Sequence, residues 1–231
     1  MCGRFVSATP AADLAAHFGA VEVTGDLPPR FNVAPSSEVW VIRDVATDPP
    51  AGGPAAEACT RTLGTMRWGL VPSWATDPAI GSRLINARVE TAATKPSFRA
   101  AFRRRRCLLP ADGFYEWAPV PGQRAKQPWY FTGTAPLALA GLWEDGHDAS
   151  PPTCTILTTA ADDVVAPVHH RMPVVLAPST WDTWLDPGLT DAADLEALVA
   201  AAESTALSAR RVGTAVGNPR NDGPALIEER S

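Results

Sequence analysis

The amino-acid sequence predicts a mixed α+β fold. Its apolar runs are short and are closed off by turn residues, drawn from 23 prolines and 17 glycines. Helical periodicity is confined to brief stretches, and the strand-like runs do not alternate with long helices as a doubly wound sheet would require. In chain order the strand-like runs are residues 39–43, 65–70, 129–132, 137–143, 153–159 and 172–176. Helices are expected over 10–18 behind Thr9 as a cap, over 97–105 ending in a basic run, over 179–185 behind a Pro-Ser-Thr entry, and over 191–203 behind Thr190. Residues 44–60 are rich in Pro, Gly and Ala and are expected to form an exposed loop. The chain shows no internal repeat and no dividing linker, so residues 1–231 are expected to form one domain.

A chain of 231 residues is long enough to bury a sizeable core. With 45% hydrophobic and 19% charged residues, wholesale disorder is excluded. The longest apolar stretches fall far short of the roughly 20 residues needed to cross a bilayer. No apolar segment follows a basic start, so neither a membrane span nor a secretory leader is expected. Cys2, Cys59, Cys107 and Cys154 form no Cys-x-x-Cys pair. The reading is therefore a reducing cytoplasm, with no disulfide framework, no metal site and no cofactor.

A net charge of −5 argues against a nucleic-acid partner until the chain is divided. Residues 1–60 carry −4, residues 61–126 carry +8 and residues 127–231 carry −9. The middle third is a basic island, and local field governs the binding of a polyanion. Of the 20 basic residues 18 are Arg, the side chain suited to bidentate phosphate contacts. A compositional bias toward Arg accounts for the excess equally well, though not for the clustering.

Cys2 is the first chemical feature. Removal of Met1 would leave a cysteine with a free α-amine and a thiol on adjacent carbons. Their reference pKa values, about 7.7–8.0 and 8.5, leave both partly reactive at neutral pH. Such a pair can attack an acyl group, or condense with an aldehyde to an imine that the thiol closes intramolecularly to a thiazolidine. An incidental cysteine at a frayed terminus is the plain alternative. Gly3, Arg4 and Phe5 behind it suit a tight backbone approach and a phosphate contact.

Glu116 lies in Asp-Gly-Phe-Tyr-Glu-Trp at 112–117, among residues whose burial would raise its proton affinity. The same pattern also describes a surface carboxylate on a strand edge. His169 and His170 stand at the entry to an apolar strand, as acid–base groups or as solvated capping residues. Asn86, Arg88 and Glu90 would share one face of an extended strand, an arrangement more natural in a cleft than in a core. Asn32, in Phe-Asn-Val-Ala-Pro at 31–35, fits a turn-fixing amide. Trp68 and Trp74 bracket a Gly-Leu-Val-Pro-Ser segment in the basic island, and aromatic rings among arginines suit stacking of unpaired bases. The run Arg103–Arg106 is expected to be a solvated helix end first and a nucleic-acid contact second.

Together these motifs resemble the SRAP (SOS-response-associated peptidase) family. Met-Cys-Gly-Arg-Phe at 1–5 and Phe-Asn-Val-Ala-Pro at 31–35 are followed by Arg-Trp-Gly-Leu-Val-Pro-Ser-Trp at 67–74 and Ile-Asn-Ala-Arg-Val-Glu-Thr at 85–91. Asp-Gly-Phe-Tyr-Glu-Trp at 112–117, Val-His-His-Arg-Met-Pro-Val-Val-Leu at 168–176 and Ala-Val-Gly-Asn-Pro-Arg-Asn-Asp-Gly at 215–223 complete the series. The resemblance implies a barrel-like, mostly antiparallel sheet core surrounded by helices. It also implies a monomer that binds single-stranded DNA and covalently traps abasic sites, with accompanying lyase or autoproteolytic chemistry.

By the same resemblance, Cys2 would form the thiazolidine, Glu116 would move protons, His169 would assist opening of the deoxyribose, and Asn86 would hold that sugar. Arg4, Arg88 and Arg171 would contact phosphates and Trp68 would wedge against bases, with Asn32 placed at the same DNA interface. His170 stands where the family tends to have Asp. Two other readings remain on the residues alone: an amidohydrolase using the terminal cysteine, and a module that reads modified DNA without forming a bond. Substituting Cys2 separates them, because only a non-covalent reader would be indifferent.

Overall fold

In the computed structural model of the chain, residues 2–22, 25–47, 58–146, 150–201 and 206–230 are described. The chain begins with β1 (Phe5–Ser7), α1 (Ala11–Phe18), β2 (Val21–Glu22), β3 (Arg30–Val33), β4 (Glu38–Thr47) and β5 (Ala58–Trp68). A 3-10 turn at Pro78–Arg83 leads to β6 (Asn86–Arg88), α2 (Val89–Ala92) and α3 (Arg99–Arg104). Five strands follow: β7 (Arg106–Ala111), β8 (Gly113–Ala118), β9 (Gln127–Thr132), β10 (Leu137–Glu144) and β11 (Thr153–Ala160). The chain ends with β12 (Arg171–Pro173), α4 (Trp181–Leu185), α5 (Ala192–Ala200) and β13 (Ser208–Arg211), then two short 3-10 turns.

The strands form two sheets. The larger runs in the order β12-β11-β10-β7-β4-β5-β2, and β5 also pairs in parallel with β11, so five of its strands close into a twisted ring. The smaller runs β13-β9-β8-β1-β3 and is antiparallel throughout. The mixed α+β class is as the sequence predicts.

Strand alternation builds the packing. Along β4, Trp40 and Ile42 join the cluster under the helices, while Val39 and Val41 join the cluster between the sheets. Leu108 on β7 and Ala138, Ala140 and Leu142 on β10 face the helices in the same way, and Leu109, Leu137 and Leu139 face inward. The small sheet contributes Phe5, Val33, Phe114 and Phe131 to the inner cluster. Its opposite face packs Val6, Tyr115 and Tyr130 against the C-terminal segment through Val212, Val216 and Leu226. Gly69, at φ +131°, turns the chain out of β5, and a Cβ there would lie 2.7 Å from the carbonyl oxygen of Gly81. Among the described residues no helix is long and apolar enough to cross a membrane.

Several local expectations need correction. The first helix starts behind Pro10 with no side-chain cap, because Thr9 donates its hydroxyl to Asp112. The last helix is capped by Asp191, whose carboxylate accepts from the N–H groups of Ala193 and Asp194, one residue beyond Thr190. The two ends of the expected 44–60 loop are strand, with Asp44 paired to Arg61 and Thr47 to Ala58. Residues 48–57 of that stretch lie outside the described residues. The extended run over Asn86–Glu90 stops at Arg88, where α2 begins, so Glu90 does not share a strand face with Asn86. Arg106 is no solvated helix end. It is buried, and its guanidinium donates to the carbonyls of Trp184, Phe102, Arg103 and Asp186 at the back of β7.

Candidate active site

The start of the chain is drawn against β8. Phe5 pairs with Phe114 and Val6 with Gly113, and the Tyr115 N–H donates to the Arg4 carbonyl at 3.0 Å. That register carries Cys2 to the outer half of β8, where Glu116 stands. Alternation turns Phe114 and Glu116 toward the ring and Tyr115 the other way. Cys2 is completely buried in the inner cluster.

Asn86 reaches the same place from β6, which runs parallel to β11 with Asn86 beside Ile156. Its Nδ2 donates to the Cys2 carbonyl at 2.9 Å. Its Oδ1 is buried and has no hydrogen-bond partner among the described residues. His169 arrives from the turn before β12, on the other side of β11. Its Nδ1 lies 4.0 Å from Oε1 of Glu116. The same nitrogen sits 3.0 Å from the Arg171 backbone nitrogen and 2.9 Å from the Arg171 carbonyl oxygen, so the tautomer decides which bond forms.

Burial sets the proton affinities. It pushes the Glu116 carboxyl up, against the opposing fields of His170 and Lys126. Burial also pushes the Cys2 thiol well up, and the nearby Glu116 charge adds to the effect. His169 is pushed down by burial, with Lys126 and Arg171 contributing. Burial therefore disfavours the charged forms of the carboxyl, the imidazole and the thiol alike. Those are groups that can give or take a proton without carrying net charge into a dry site.

Cys2, Asn86, Glu116 and His169 are thus brought together. The residues expected to contact DNA are not equivalent. Arg88 is exposed. Arg4 is half-buried, and its guanidinium donates to Asn32 Oδ1 at 2.8 Å and to the Val216 carbonyl at 2.9 Å. Asn32 is 1% exposed and its amide donates to the carbonyls of Val216, Asn218 and Asn221, so it clamps the C-terminal segment and presents nothing to a ligand. Trp68 is fully buried, edge-on to Phe5 at 5.2 Å, with its Nε1 donating to the Ile85 carbonyl. In this structure the ring is packed inside and not at the surface. The ring of that bracket that does reach the surface is Trp74, at 57% exposure.

Arg171 is also buried. Its guanidinium grips Glu90 with both terminal nitrogens and donates to the Thr158 carbonyl at 2.6 Å. Lys126, which the sequence reading missed, and His170 are both exposed and lie close enough to act on Glu116 electrostatically. Lys126 sits in the β8–β9 turn, and only the pairing of Ala118 with Gln127 brings it beside the site. Among the described residues no group of three His, Cys, Asp or Glu side chains could hold a metal ion.

Residues 1–219 match the family model described as SOS response associated peptidase (SRAP). The chain is 35% identical over 234 residues, 99% of each protein, to a Bacillus subtilis protein named abasic site processing protein YoqW. It is 30% identical over 246 residues, again 99% of each, to the Escherichia coli abasic site processing protein YedK. With HMCES of Gallus gallus it shares 32% over 231 residues, covering 86% of this chain and 66% of that protein. A crystal structure of a Bacteroides thetaiotaomicron protein superposes with a TM-score of 0.81 at 21% identity over all of both chains, a likeness of fold. One from Bordetella bronchiseptica superposes at 0.72 with 27% identity, covering 92% of this chain and all of that one. A family model matching from the first residue to Arg220's neighbour Pro219, and relatives matched end to end, leave one conclusion: the chain belongs to the SOS response associated peptidase family.

Proposed function

We propose that this protein processes abasic sites in single-stranded DNA by forming a covalent bond at Cys2. The observation that carries the reading is the convergence of Asn86, Glu116 and His169 on Cys2, from three separate stretches of chain. Relatives named for abasic site processing support the substrate.

Removal of Met1 exposes the α-amine of Cys2. The ring-opened abasic sugar offers an aldehyde, which the amine attacks to give a carbinolamine. Glu116, whose proton affinity burial raises, donates to the departing hydroxyl, and water leaves an imine. The Cys2 sulfur then adds to the imine carbon while its proton passes to nitrogen, closing a thiazolidine with one water lost overall. A carboxylate beside the thiol serves that proton transfer, because the thiol itself resists ionisation. The unpartnered Asn86 Oδ1 is placed to accept from a sugar hydroxyl, and neutral His169 to relay the proton in ring opening. Arg88 and Lys126, both exposed, supply positive charge for the flanking phosphates.

The test mixes Met1-processed protein with single-stranded DNA carrying one abasic site and separates the products on a denaturing gel. A heat-stable shifted band that needs both the abasic site and Cys2 is expected. Its absence, with the intact mass confirming loss of Met1, overturns the reading.

A further inference from the structure

A groove of about 470 Å³ opens beside the site and takes no part in the chemistry above. Its floor follows from strand register. Glu116 on β8 pairs with Trp129 on β9, and Trp129 pairs with Arg211 on β13. Directly paired residues in antiparallel strands project to the same face, so Arg211, Trp129 and Glu116 form one row across three strands. Ala118, two residues beyond Glu116, lies on that face too, and small enough to leave the ring uncovered. The opposite wall is Val164 and Val168, the latter directly preceding His169. Val164 is 38% exposed and Trp129 is half-buried, so an apolar surface faces solvent at the rim of the site. The Arg211 guanidinium lies 5.4 Å from the Trp129 ring centroid and is itself exposed.

We propose that this groove seats the unpaired nucleobase next to the reacting sugar on one side, stacked on Trp129, with Arg211 taking the adjoining phosphate. The inference rests on the single-stranded DNA reading and adds where a neighbouring base goes. Three features select a nucleotide. The groove is continuous with the reacting carboxylate through one row of side chains. Its ring offers a flat, sequence-tolerant stacking face. Its cation stands beside that ring, where a base and its phosphate would need one each.

The test uses the full chain and short single-stranded oligonucleotides containing one tetrahydrofuran residue, an unreactive stand-in for the abasic sugar, so no covalent step intervenes. One oligonucleotide has bases on both sides; the other two lack the base on the 5′ or the 3′ neighbour. For the unaltered chain, removing one of those two bases is expected to weaken binding roughly tenfold, the scale of one base–aromatic stack. Trp129→Ala is expected to bind all three alike, and Trp129→Leu likewise while preserving apolar packing. Arg211→Ala, at an exposed position, is expected to lower the salt dependence by about one counterion. Equal binding of all three by the unaltered chain overturns the base seat and leaves the DNA reading standing. A base preference that survives both Trp129 variants also overturns it. No binding to any of the three overturns the seat and the DNA reading together.

Discussion

Arg171 and Glu90 tie together two carriers of the site. The guanidinium grips the carboxylate with both terminal nitrogens, joining the helix that follows Asn86 to the strand that follows His169. The same guanidinium donates to the Thr158 carbonyl on β11, the strand between them. A bidentate pair of this kind fixes direction as well as distance.

Glu90→Ala should therefore cost about 1–2 kcal/mol of stability, a figure held down by the half-exposed carboxylate. It should also slow covalent capture more than it weakens binding of undamaged DNA. Arg171 holds the Glu90 carboxyl below its ordinary 4.5. A depressed folded-state pKa gives stability that is present above that ordinary value and lost as pH falls through the lower one. Urea midpoints of the two proteins should therefore differ by a constant amount above about pH 4.5 and converge in acid.

Asn32 and Arg88 should behave as opposites. Asn32→Ala removes a buried amide that donates to three carbonyls of the C-terminal segment and accepts from Arg4, and should cost about 2–3 kcal/mol. The folded fraction should bind DNA with an unaltered salt slope. Arg88→Ala should leave stability within about 0.5 kcal/mol and reduce the slope of log K against log salt by about 1. Salt titrations of binding beside denaturant curves check both.

Arg106→Ala should be among the most damaging substitutions, costing about 3 kcal/mol or more, because buried carbonyls lose their shared donor. Arg106→Lys should recover only part of this, since a single ammonium cannot span the fork. Burial already lowers the Arg106 pKa to about 10. Thermal or chemical denaturation of the pair decides the point.

Glu116 should show the reverse pH dependence from Glu90. Burial raises its folded-state pKa, so the folded state holds the proton more tightly than the unfolded one. Stability from that proton is full below the ordinary 4.5 and is lost as pH rises through the raised value. Glu116→Gln should then gain stability relative to the unaltered chain as pH rises from about 4.5, and the difference should level off once Glu116 is ionised. The same variant should capture abasic DNA slowly at every pH, with affinity for undamaged DNA nearly unchanged.

The elements legible in the sequence were those whose pattern is local. Residues 137–143 are a continuous apolar run and 153–159 a run rich in Thr around Ile156 and Leu157, and both are strands buried on two faces. The four candidate residues were legible because an amide, a carboxylate, an imidazole and a second-position cysteine each suggest chemistry, though only the shared strand β11 and the pairing with β8 bring them together. The burial of the residues expected at the DNA was not legible. Trp68 and Trp74 look alike in sequence, yet Gly69 and its close approach to Gly81 turn one inward and leave the other at the surface. Arg106 follows the exposed Arg103 and Arg104 and the half-buried Arg105, and differs because α3 ends there and β7 passes beneath Trp184. Asn32 carries no local sign that the chain returns to it at residues 216–221.

The most direct measurement is the intact mass of the Met1-processed protein after reaction with an abasic oligonucleotide, with and without borohydride, beside Cys2→Ser. The expected product of the unaltered chain is a stable adduct equal to both partners less one water, unaffected by borohydride because no imine remains. Cys2→Ser, lacking the sulfur, should hold DNA only as an imine that borohydride must trap. An adduct equally stable from both proteins, or none from either, would contradict ring closure by the Cys2 thiol.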